Sequence, residues 1–271
     1  MNLTFMKVAL IGRGRWGKIL LNELAKLREI KYQCDSKSDL NLVWNDPEVE
    51  SVFIATPTET HFEIASKALG AGKNVFLEKP GTTSSVLLEK LVEMAESKNL
   101  KFAVGYEFPH HPAINKLKEL IAGKEVEFIR LEYQKWGTFR DNIVTHFLCH
   151  DVSILKYLNI PIDSPRSNGV SVITDADILA TRFGSRVMSV INRVSPLKQR
   201  TLIIKLRDSK YLLNGDELFE IVGEELKKIE LSETTSVANE LNDFLNSEKP
   251  LCSGKFALEI YRIIEQVEAP R

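Results

Sequence analysis

The segment Gly12-Arg13-Gly14-Arg15-Trp16-Gly17 limits what this chain can fold into more than any other. It stands between an apolar run at residues 7–11 and a stretch at 18–27 whose leucines at 20, 21, 24 and 27 recur at helical spacing. A strand, a glycine turn and a helix in that order are the context a dinucleotide-binding turn requires. Gly12 permits the tight turn, Gly14 lets the backbone approach a pyrophosphate, and Gly17 lets the helix pack close to the sheet. The helix start then presents unpaired N–H groups to phosphate. Asp35 follows at the end of a second strand, where a carboxylate accepts hydrogen bonds from ribose hydroxyls and repels a 2′-phosphate. This favours NAD. Ser36 and Lys37 next to it, and Arg13 or Arg15 in the turn, leave NADP possible. The alternative reading of Asp35 is a plain turn residue.

The pattern continues as strand and helix in alternation up to residue 105, which implies a parallel sheet covered on both faces. Only residues 36–50 separate the second strand from the next, so one turn of helix or a short strand near 42–44 is expected there. A helix at 84–97 is expected to be capped by a hydroxyl from residues 82–85. From residue 113 the order changes to a helix, a long strand at 125–136, a helix near 143–158, six strand-like runs and two closing helices. Short connections between those runs imply antiparallel pairing. The expected fold is therefore an α/β Rossmann-type parallel sheet domain, residues 1–108. It is followed by an α+β domain with an open, mainly antiparallel sheet, residues 109–271, for substrate binding and oligomerisation.

Composition excludes several other classes. Lys plus Arg is 36 and Asp plus Glu is 37, a net charge of −1, which argues against a nucleic-acid partner. No apolar run reaches the ~20 residues of a membrane helix. Three scattered cysteines form neither a disulfide framework nor a metal knuckle, and a cytoplasmic location is expected. Residues 1–12 read as a strand leading into the turn and not as a signal peptide.

A second signature lies at Glu78-Lys79-Pro80, preceded by Ala55-Thr56-Pro57-Thr58 and His61. Together with the glycine turn, Ser195-Pro196, Lys198-Gln199-Arg200 and the stretch 249–254, it makes the chain resemble the glucose–fructose oxidoreductase / inositol dehydrogenase family. The resemblance covers essentially the whole chain. It implies an NAD(P)-dependent oxidoreductase acting on a hydroxyl-bearing carbon of a sugar, sugar derivative, nucleotide sugar or cyclitol. It also implies a homodimer or homotetramer assembled through the second-domain sheet. Thr56, Pro57, Thr58, His61, Glu78 and Lys79 then border the cofactor, and the Lys79–Pro80 bond is expected to be cis. Lys79 would orient and acidify the substrate hydroxyl, its own proton affinity reduced by a cationic nicotinamide. The bland reading is a surface lysine at a strand end.

Residues 145–153 supply the other expected chemistry. His146, His150, Ser153 and Tyr157 are spaced by four, three and four, one polar stripe if the segment is a regular helix. The resemblance assigns proton transfer to His150. His146 stands where the family has an aspartate, and Ser153 where it often has another. His146 is assigned to substrate binding, with Tyr106, Lys79 and His150. Glu107, His110 and His111 replace a family arginine run and read as substrate contacts or as a hinge. The His146–His150 spacing also fits a zinc pair, but without an adjacent acidic residue, and no metal is expected. Two further readings stay open: a dinucleotide-binding sensor without turnover, and a reductase of a non-sugar substrate.

Overall fold

The computed structural model describes residues 7–174 and 176–267. The reading of the extreme N-terminus falls partly on residues 1–6, outside the described residues. The chain divides into two units. Residues up to His110 combine with 235–259, and residues 111–234 combine with those from 260 onward. This amends the expected division, because 235–259 pack with the first unit and not with the second.

In the first unit, strands β1 (Lys7–Ile11), β2 (Ile30–Cys34), β3 (Val49–Ile54), β4 (Asn74–Glu78) and β5 (Phe102–Gly105) form a parallel sheet in the order β2-β1-β3-β4-β5. Helices α1 (Arg15–Leu27), α3 (Thr58–Gly70) and α4 (Ser85–Ser97) make the crossovers. The short link between β2 and β3 holds a single turn, α2 (Asn41–Trp44), as its length requires. Ser84 caps α4, its hydroxyl accepting from Leu87 N–H at 3.3 Å. The core joins Val8, Leu10, Leu20, Leu24, Phe53 and Phe76 to Leu241 and Phe244 of helix α7 (Ser236–Asn246). The rings of Phe53, Phe76 and Phe244 form a mutual cluster with centroids 5.4–5.6 Å apart. Aromatic area of this kind dominates core energetics.

In the second unit, α5 (Pro112–Ile121) precedes eight strands: β6 (Val126–Trp136), β7 (Arg166–Val170), β8 (Ile178–Phe183), β9 (Val187–Asn192), β10 (Val194–Leu206), β11 (Lys210–Asn214), β12 (Glu217–Val222) and β13 (Glu225–Ile229). They form one sheet, β13-β12-β11-β10-β6-β9-β8-β7, antiparallel except for the β6–β9 pair. β13 is mostly exposed, and its lysine pair Lys227-Lys228 lies on an edge strand, where charge discourages further pairing. Helix α6 (Cys149–Tyr157) continues a π turn, Val144–Leu148. Asp151, on α6, is fully buried and binds the sheet twice: Ser189 Oγ donates to Oδ2 and Arg200 Nη1 to Oδ1, both at 2.6 Å. Helix α8 (Gly254–Glu265) follows α7. Among the described residues no helix is long and apolar enough to cross a membrane.

Candidate functional site

The glycine turn behaves as its spacing predicts. Gly12 has φ +111°, a left-handed backbone open to glycine, and a Cβ there would lie 2.3 Å from Ala55 O. A Cβ on Gly17 would lie 2.0 Å from Gly12 O, so the helix approaches the turn as closely as backbones can. Gly14 differs. It is exposed and starts α1, and among the described residues it has no side-chain cap and a Cβ added to it meets nothing within 4 Å. Open space over unpaired helix N–H groups is the seat a pyrophosphate needs. Arg13 and Arg15 are exposed beside it and Trp16 is half-buried. Asp35 is exposed just past β2, with Arg13 Nη1 3.7 Å from its Oδ2. Lys37 N–H donates to Asp35 Oδ1 at 2.9 Å, and this bond, with that from Ser38, holds the carboxyl below its ordinary range. These residues fit an adenine dinucleotide.

The two other motifs meet through a histidine. His61 is buried, with Nε2 2.8 Å from Thr56 O and Nδ1 3.0 Å from Pro80 O. Burial lowers its proton affinity against the pull of those carbonyls. Both ring nitrogens thus face carbonyl oxygens, and His61 joins the turns after β3 and β4. Thr60 Oγ1 ties the same corner, donating to Pro57 O at 2.7 Å and lying 2.8 Å from the Thr56 hydroxyl. Thr58 opens α3 behind Pro57. The Lys79–Pro80 bond is cis. Lys79 is half-buried at the end of β4, and Glu78 beneath it is buried, its Oε2 accepting from Lys79 N–H. Burial pushes the Glu78 carboxyl up to about 8, against the charge of Lys79.

Several expectations are corrected. Tyr106 is fully buried with its ring against Phe256, 6.5 Å between centroids, so it has no exposed face for substrate. His111 caps α5: its Nδ1 accepts from Ala113 N–H at 3.1 Å, so Nε2 carries the proton and donates to Asp216. His110 is buried against Asp243. Both rings are thus engaged within the protein, by Asp243 for His110 and by Ala113 and Asp216 for His111. The polar stripe on the histidine helix also dissolves. Ser153 Oγ donates to His150 O at 2.7 Å, and the Tyr157 hydroxyl donates to Asn115. The π turn carries His146, whereas His150 lies on the α-helix that follows.

His150 is buried to 9% exposure, and His146 is half-buried. Asp141 Oδ2 lies 4.0 Å from His146 Nδ1, a carboxylate that motif spacing does not reveal. Asp141 is itself held by Arg193, whose Nη1 donates to its backbone oxygen at 2.6 Å. Arg193 is buried and pairs with Asp177 at 3.1 Å. Burial pushes the Asp177 carboxyl up, but bonds from the Thr174 hydroxyl and the backbone of residues 172–174 outweigh it and hold the carboxyl far below its usual range. Arg200 pairs with Asp151 and stacks 4.4 Å from the Tyr133 ring centroid, fixing the helix that carries His150.

A parallel sheet whose first turn leaves room for a pyrophosphate, with a lysine–cis-proline turn at the end of the fourth strand, is the arrangement of an NAD(P)-dependent oxidoreductase. Residues 18–106 match the oxidoreductase family with an NAD-binding Rossmann fold. Over that stretch the chain is similar to the family of glucose–fructose oxidoreductase and inositol dehydrogenase. It is 28% identical over 221 residues to the UDP-N-acetylglucosamine 3-dehydrogenase of Acidithiobacillus ferrooxidans, an alignment covering 74% of this chain and 70% of that protein. It is 41% identical over 81 residues to the D-xylose 1-dehydrogenase (NADP(+)) of Hypocrea jecorina, covering 30% of this chain and 21% of that one. The solved structure of the Acidithiobacillus enzyme superimposes with a TM-score of 0.88 at 22% identity, covering 97% of this chain and 96% of the other. A dehydrogenase from Clostridium difficile gives a TM-score of 0.83 at 17% identity, covering 96% and 98%. Those two likenesses establish the fold.

Proposed function

We propose that the protein moves a hydride between the nicotinamide of NAD(P) and a hydroxyl-bearing carbon of a carbohydrate-like substrate, with nucleotide sugars as the leading class. The alignment over 221 residues with a nucleotide-sugar dehydrogenase supports that class. The observation that carries the reading is the open space over Gly14 at the uncapped start of α1, together with Lys79 held half-buried on the cis turn of the same sheet.

Bound NAD(P) supplies the hydride acceptor or donor. The chain supplies the rest. Arg13 to Gly17 seat the pyrophosphate, and Asp35 accepts from the ribose. Ser36 and Lys37 follow it, and Arg13, 3.7 Å from Asp35, supplies a charge able to take a 2′-phosphate. The turns at Thr56-Pro57-Thr58 and Glu78-Lys79 border the cofactor. Lys79 donates to the substrate hydroxyl and stabilises negative charge developing on its oxygen. His150 takes the hydroxyl proton as the carbon gives up its hydride, and returns it in reduction. His146, with Asp141 beside it, binds substrate. We place the protein in the cytoplasm, where its three buried, free thiols persist. We assign homodimer or homotetramer formation to the second-unit sheet, where Phe128, Trp136, Val222 and Leu226 are exposed.

The test is turnover with a panel of nucleotide sugars, sugars and cyclitols and each dinucleotide. Lys79→Ala and His150→Ala should each lower turnover by about 10²-fold or more while dinucleotide affinity stays within a few-fold. Full rates in both variants would end the mechanism. Tight dinucleotide binding with no turnover on any compound would select a sensor instead.

A further inference from the structure

Away from the glycine turn, three side chains of different chemistry meet inside the first unit. His110 ends a short helical turn after β5, Glu240 lies on α7, and Cys252 lies in the loop before α8. One ligand-capable atom of each lies within 4.8 Å of the other two. All three residues are buried, with exposures of 6%, 4% and 2%. Cys252 Sγ is 3.9 Å from His110 Nδ1. The opposite ring nitrogen, Nε2, is 3.1 Å from Asp243 Oδ2, and the same carboxylate oxygen accepts from Leu251 N–H at 2.7 Å. A carboxylate on Nε2 keeps the proton there and leaves the Nδ1 lone pair turned toward the thiol. Among the described residues Glu240 Oε1 has no hydrogen-bond partner. An unsatisfied carboxylate oxygen at that depth calls for an explanation.

We propose that His110, Glu240 and Cys252 bind a zinc ion. Imidazole nitrogen, thiolate and carboxylate form the borderline donor set that zinc prefers, whereas calcium and magnesium take oxygen alone. Tetrahedral bonds of about 2.0–2.3 Å bring ligand atoms to within about 4 Å of one another, so side-chain shifts of under about 1 Å close the set. The Asp243–His110 contact is the outer carboxylate that orients zinc-binding histidines. The Tyr106 carbonyl, 3.4 Å from Cys252 Sγ, is a candidate for the fourth position.

The exchange balances. One Zn²⁺ enters and two protons leave, one from the thiol and one from the Glu240 carboxyl. The resulting centre is neutral. The ion would tie the returning segment 235–259 to the end of β5. This role is independent of the hydride-transfer reading.

The experiment uses the full chain, stripped with a strong chelator and titrated with cobalt and then zinc. One Co²⁺ per chain should give tetrahedral visible bands and a thiolate-to-cobalt charge-transfer band, and zinc should bleach both. Cys252→Ser should abolish the charge-transfer band. Glu240→Gln should weaken zinc at least tenfold, and Asp243→Asn about 10–100-fold. Circular dichroism checks folding, and Cys252→Ser decides the matter if the Glu240 variant does not fold. Absence of the charge-transfer band in the wild type, its persistence in Cys252→Ser, or unchanged zinc affinity in a folded Glu240→Gln would overturn the assignment.

Discussion

Gly14→Ala separates binding from folding in the glycine turn. Residue 14 has φ −70°, which alanine adopts freely, and its new Cβ meets no atom within 4 Å. Stability should stay within about 0.5 kcal/mol of wild type. The methyl group does fill the space assigned to the pyrophosphate. Affinity for NADH or NADPH should drop at least tenfold, about 1.4 kcal/mol. Gly17→Ala is the contrast. Its Cβ would lie 2.0 Å from Gly12 O, about 1.5 Å inside the ~3.5 Å optimum, and both partners are backbone. Overpacking of that kind costs about 2 kcal/mol or more. At about 2–4 °C per kcal/mol, the melting temperature should fall by at least about 4 °C. Fluorescence titration of the reduced dinucleotides and thermal melts of the three proteins measure both effects. Wild-type affinity in Gly14→Ala would refute the seat assigned to the pyrophosphate. A wild-type melt in Gly17→Ala would refute the close approach of α1.

Three further outcomes are expected. Arg200→Leu strands the fully buried Asp151 carboxylate and should cost about 3–5 kcal/mol, read by denaturant melts; a loss below about 1 kcal/mol would mean that water reaches Asp151. Glu78 is ordinarily ionised above pH 4.5 but retains its proton to about 8 in the fold, so the folded state binds more protons and stability falls as pH rises through that window. At about 1.4 kcal/mol per unit the ceiling is about 5 kcal/mol, and Glu78→Gln should flatten the decline in melting temperature from pH 5 to 8; parallel curves for the two proteins would contradict this. Asp35→Ala should weaken NAD more than NADP in paired titrations, whereas equal losses would leave Asp35 a turn residue.

What could be read in advance was whatever rests on local chain geometry. The glycine spacing fixed the turn, and the fifteen residues from 36 to 50 left room for only the single turn of α2. Pro80 restricts Lys79 to extended backbone wherever such a pair occurs, while the cis bond was expected only from the family resemblance. Long-range partners were not recognisable. Asp151 looked like one more polar residue on a helix, and only the sheet strand bearing Arg200 reveals its ion pair. The expected stripe through Ser153 and Tyr157 assumed regular α geometry, and nothing in the composition of 144–148 announces a π turn. His110 and His111 are adjacent in sequence, yet one pairs with the half-buried Asp243 and the other caps a helix while donating to Asp216, partners more than a hundred residues away. The apolar face of α7 signals burial but does not say which core receives it.

That last point bears on synthesis. Phe244 completes the ring cluster with Phe53 and Phe76, yet it is translated after the whole eight-stranded sheet. A nascent chain emerging from the ribosome must therefore carry an unfinished nucleotide-binding half, with two phenylalanines uncovered, until its last segments arrive. Fragments cut near residue 234 would inherit the same exposed rings and the same hazard of aggregation.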